Sequence, residues 1–186
     1  MKGRLLILSL VSLLALAGVA AAGDAIRGTN HADALVGTPG DDVIVALAGN
    51  DTVAALDGND RVFAGRGNDV VEGGGGNDML RGGEGDDVLR GGEGNDVLRG
   101  RSGNDVVEGG PGDDVIWVGR GADREFGGDG NDTLHALAND DQVDFIDCGP
   151  GDDTLYENAR EHDQWVNCEH VIKRVPTAAE AAEEDK

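Results

Sequence analysis

Residues Gly73–Trp117 read GGGGNDMLR, GGEGDDVLR, GGEGNDVLR, GRSGNDVVE and GGPGDDVIW. These are five nine-residue units in one register. Each has a glycine-rich start, an Asp at its sixth position and an aliphatic residue at its eighth. Carried outward, the register reads as thirteen units from Gly28 to Asp144 with no insertion. Their sixth positions are Asp33, Asp42, Asp51, Asp60, Asp69, Asp78, Asp87, Asp96, Asp105, Asp114, Asp123, Asp132 and Asp141. Twelve of the thirteen eighth positions are aliphatic, ending at Val143, and the exception is Glu125.

One apolar residue between two variable ones is a minimal strand with its centre pointing inward. The Gly, Asn and Asp before it supply the positive φ and close backbone approach of a tight turn. Nine residues are too few to wrap a core, but two units, eighteen residues, make a coil of turn, strand, turn, strand. Unit n then lies ~4.8 Å from unit n+2, and their Asp carboxylates repel. A hard cation between them reverses that sign. Calcium suits such a turn, because it takes six to eight oxygens from carboxylates and backbone carbonyls. Magnesium keeps its waters, and zinc and copper want His or Cys, which the array nearly lacks.

The unit matches G-G-x-G-x-D-x-U-x and resembles the calcium-binding nonapeptide of the RTX (repeats-in-toxin) family. The resemblance implies an all-β fold, a right-handed parallel β-roll, with each calcium ion shared by two stacked turns. The expected ligands are Asp42, Asp51, Asp60, Asp69, Asp78, Asp87, Asp96, Asp105, Asp114, Asp123, Asp132 and Asp153. Counting gaps between odd and between even turns gives up to eleven sites.

The 186 residues suggest one domain. Net charge is −22, with 37 acidic and 15 basic residues, 32 Gly and few aromatics. This is a poor basis for an ordinary core, and its acidity excludes nucleic acid as a natural partner. The start, residues 1–22, has a basic head (Lys2, Arg4), the apolar run Leu5–Ala17 and the small triplet Ala20–Ala22. That is the layout of a signal peptide, cleaved after Ala22 or Ala21. The chain is therefore expected to be secreted, with no membrane span after cleavage. It departs here from the RTX toxins, which leave through a dedicated exporter. Losing Lys2 and Arg4 takes 15 basic residues to 13 against 37 acidic ones, or −24, close to the charge eleven Ca²⁺ would neutralise.

Residues 23–144 are read as the roll and 145–175 as a last repeat, CGPGDDTLY, with a C-terminal cap. Residues 176–186 are read as an acidic flexible tail. Cys148 and Cys168 are the only cysteines. In an exported chain such a pair suggests a disulfide; a zinc site completed by His162 or His170 is the alternative. No nucleophile or metalloprotease motif stands outside the repeat, so no enzyme is expected. Positions seven and nine should face outward. On one sheet the ninth positions alternate as Glu72, Arg90, Glu108. On the other they read Phe63, Arg81, Arg99, Trp117, either solvated strand surface or a strip for an extracellular polysaccharide or another surface protein.

Overall fold

The computed structural model describes residues 25–138 and 140–177. The expected signal peptide (1–22) and nearly all of the acidic tail lie outside these residues. Every described element is a strand, and every pairing is parallel. No helix among the described residues is long and apolar enough to cross a membrane.

The chain alternates between two sheets. One has nine strands, from Ala25–Arg27 through Met79–Glu84 to His170–Arg174; the other has eight, from Ala34–Val36 to Gln164–Val166. Each strand pairs with the second one along, and Val62↔Leu80 and Leu80↔Leu98 show the eighteen-residue step. The result is the expected right-handed parallel β-solenoid.

The core differs from a single column of aliphatic residues. Most strands have six residues and two inward positions, as in Met79–Glu84. The eighth position of one unit is buried, and so is the first position of the next. Ala46, Ala55, Ala64, Val118, Ala136 and Cys148 fill that second column. Through Gly73, Gly82, Gly91, Gly100 and Gly109 it is empty of side chain, so the most regular repeats have the thinnest core. Glu125 occupies its eighth position fully buried, across from Val107 and Ile146.

The register at the C-terminal end needs correction. The ladder places read as Asp141 and Val143 belong instead to Asp144 and Ile146. Arg124 pairs with Phe145 and Glu125 with Ile146, an offset of 21 rather than 18. Val143 is 48 % exposed, and Asp141 adopts φ 60. The three extra residues therefore sit in the turn before Asp144, where added length disturbs no strand pairing. Counting back nine from Asp153 and Leu155 gives Asp144 and Ile146 directly. Beyond Asp153 the segment read as a cap continues both sheets: Gln164–Val166 pairs with Phe145–Asp147, and His170–Arg174 with Thr154–Asn158. Cys148 and Cys168 form a disulfide, with Cα atoms 5.1 Å apart. The His170 ring instead meets Asp152 at 2.8 Å.

Candidate metal centre

Asp at the sixth position closes each turn by reaching back one coil. The Asp60 backbone N–H donates to Asp78 Oδ1, Asp78 N–H to Asp96 Oδ1 and Asp96 N–H to Asp114 Oδ1, all at 2.8 Å. The other side of the roll repeats this from Asp51 through Asp69, Asp87, Asp105 and Asp123. Both ladders run on into the C-terminal segment. Asp123 N–H donates to Asp144, Asp144 N–H to Asp163, Asp132 N–H to Asp153 and Asp153 N–H to Glu169. Irregular spacing hides Asp163 and Glu169 in the sequence, and Asp144 is passed over only by a count carried forward across the three extra residues.

A second ladder runs the opposite way along the fifth positions, which the sequence reading assigned no role. Asn77 N–H donates to Asn59 Oδ1 and Asn95 N–H to Asn77 Oδ1. Asp86 and Asn104 continue the same arrangement on the other side. The preference for Asn or Asp at that place was the available signal.

The sixth-position Asp residues from Asp42 to Asp132, with Asp153, are all buried. From Asp51 onward one oxygen of each carboxylate is engaged in the ladder. The other, Oδ2, is buried without a hydrogen-bond partner in Asp51, Asp60, Asp69, Asp78, Asp87, Asp96, Asp105, Asp114, Asp123, Asp132 and Asp153. In Asp42 the two oxygens exchange roles: the Thr38 N–H and hydroxyl donate to Oδ2, and Oδ1 is the one buried without a partner. Thr29 does the same for Asp33. The two threonines thus give one carboxylate oxygen in each of the first two turns a protein donor.

The space beside the orphaned oxygen is closed to carbon. A methyl on Gly73 would collide with Asp78 Oδ2 and with the Gly91 carbonyl oxygen of the next coil. One on Gly76, at φ +118, would strike the Gly58 carbonyl of the coil before. Carboxylate and carbonyl oxygens from successive coils thus crowd each turn.

Burial pushes these carboxyls upward, the ladder N–H pulls them back, and neighbouring carboxylates in the ladder add to the rise. Asp105 reaches about 9, Asp144 about 8, and Asp87, Asp96, Asp123 and Asp132 about 7. Asp60, Asp69 and Asp114 reach about 6. Buried anions with an unpaired oxygen are costly unless a proton or a cation neutralises them. Among the described residues no three His, Cys, Asp or Glu side chains converge on one point. A cation here would take carboxylates from two coils and complete its shell from backbone oxygens, which suits calcium and not zinc.

Arg81 lies over Phe63 at 5.5 Å and Arg99 over Trp117 at 4.6 Å. On the other sheet Arg90 pairs with Glu72 at 3.7 Å and Glu108 at 3.0 Å.

No curated protein matches the chain. The profile of the RTX calcium-binding nonapeptide repeat matches in four copies, over residues 27–62, 55–89, 90–125 and 126–155. These segments take in most of the chain and all of the regular ladder, so the chain belongs to the RTX calcium-binding nonapeptide repeat family.

Proposed function

We propose that this is an extracellular calcium-binding protein whose roll forms as calcium enters between stacked turns. The observation that carries the reading is the row of buried, unpartnered Asp oxygens repeated coil after coil. Bound calcium would supply the positive charge that these carboxylates lack. Asp51, Asp60, Asp69, Asp78, Asp87, Asp96, Asp105, Asp114, Asp123, Asp132 and Asp153 are the proposed ligands. Asp42 is a weaker one, because Thr38 already serves it, and Asp144 joins the set through its ladder place.

Each proposed ligand other than Asp42 has a structural and a metal-binding half. Oδ1 fixes the carboxylate by accepting a backbone N–H, and Oδ2 remains for the ion. Glycines keep the turn narrow enough for its oxygens to reach. Without the ion, one aliphatic side chain per unit is a small return for ordering nine residues, and the ladder charges oppose stacking. Metal binding is then the folding free energy. Export through the leader at 1–22 places the chain where calcium is abundant.

Titration calorimetry of the purified protein with calcium tests this. The expected result is binding of several ions per chain, with magnesium failing to substitute. One ion or none would overturn the reading.

A further inference from the structure

The chain carries 37 acidic residues, yet two outward columns of one sheet have none. At the outward positions, seven and nine, of the nine-stranded sheet from Ala25 to Ile172 there is no Asp or Glu. The eight-stranded sheet has Glu72, Glu108 and Asp147 at the same places. These columns carry Arg61, Arg81 and Arg99 on three consecutive coils. Among the described residues Arg81 and Arg99 make no ion pair and no hydrogen bond, and Arg81 Nε is buried without a partner. Two neighbouring guanidiniums without a counter-ion are conspicuous in a chain of net charge −22.

The ninth-position column extends well past the strip visible in the sequence. Arg99 lies over Trp117, and Trp117 stacks on His135 at 4.8 Å with planes 11° apart. His135 stacks on Tyr156 at 4.9 Å, and Arg174 covers the far face of the stack at 4.8 Å from Tyr156. Stacking along the roll covers ring faces and turns ring edges outward. Flat neutral sugars and nucleobases are gripped by aromatic faces, and those are taken. The groups left to a ligand are guanidinium and indole N–H and phenol O–H, on half-buried residues of one ninth-position column.

We propose that this face docks an extended acidic polysaccharide, its carboxylate or sulfate groups lying along the Arg81–Arg99–Trp117–Tyr156 row. Charge complementarity selects a polyanion, and the rigid periodic row favours a stiff repeating one. A flexible acidic peptide pays more to be ordered, and its usual route is addition at a sheet edge, not across a face. The inference rests on the calcium reading in one respect: flanking turn carboxylates must be neutralised before a polyanion can approach.

The test uses the full protein in saturating calcium at low salt, with hyaluronan oligosaccharides as probe. Dextran, poly-glutamate and single-stranded DNA are run alongside. Hyaluronan is expected to bind, with affinity falling as salt rises, and dextran is not. Arg81→Gln/Arg99→Gln should weaken binding by about tenfold or more, two charge-assisted contacts being lost, while Arg90→Gln on the opposite sheet changes nothing. Circular dichroism with and without calcium, on every variant, separates this outcome from failure of calcium-dependent folding. Unchanged binding by the double variant, equal binding of dextran, or preference for poly-glutamate or DNA would overturn the proposal.

Discussion

At the residue scale each ladder Asp does two jobs with two oxygens, and a single substitution separates them. Asp96→Asn keeps an oxygen for the Asp78 N–H and removes the charge. In calcium the variant loses a ligand shared between coils and should be destabilised by ~1–3 kcal/mol, the scale of a lost charged contact. Without calcium it is relieved of a buried anion and should be more stable than the parent. Thermal unfolding in calcium and the residual β signal in chelator check the reversal; a loss in both conditions would reduce Asp96 to a structural hydrogen bonder. The sixth-position Asp was legible because period nine is strict. A count carried forward misses Asp144 across its offset of 21, though one carried back from Asp153 reaches it, and the offset of 19 at Asp163 is located only by strand pairing. The inward first position is also hidden: glycine there gives no hydrophobic signal, and Ala46, Ala55 and Ala64 stand where the motif has glycine.

At the element scale the turns form columns of coupled carboxyls, and proton binding should follow the column. Ordinary Asp titrates near 3.8, whereas Asp87 and Asp96 stand at about 7 and Asp105 at about 9. A raised carboxyl pKa means the folded chain holds protons more tightly than the unfolded one. Its stabilising contribution is complete below the unfolded value and is lost as pH rises through the folded value. In calcium-free buffer the β signal should therefore be strongest near pH 4 and decline between about 6 and 9. Calcium affinity should run the other way, rising as those protons leave. Circular dichroism across this range in the absence of calcium decides the sign, and a roll that gains structure with rising pH would contradict it. Strand identity was readable from one aliphatic residue in nine. The opposed Asn/Asp ladder at position five was not, since it depends on side chains meeting across eighteen residues.

At the scale of the whole molecule the roll is uneven. Its ends have help: Thr29 and Thr38 cap the first turns, alanines thicken the nearby core, and Cys148–Cys168 ties the last coils. Reducing that bond should cost ~3 kcal/mol by the loop-closure argument. Amides of Gln164–Val166 and His170–Arg174 should then exchange fastest, as hydrogen exchange in calcium with and without reductant would show; unchanged protection would mean the strands hold without the link. The middle, Gly73–Trp117, has regular turns and little core, so it should depend most on the metal.

The central claim is that calcium makes the fold, and far-UV circular dichroism against free calcium at neutral pH tests it most directly. The account predicts little β signal in excess chelator and a cooperative gain of β-structure as calcium rises. A full β spectrum in chelator, unchanged by calcium, would show that the hydrogen-bond ladders alone hold the roll and would contradict the account.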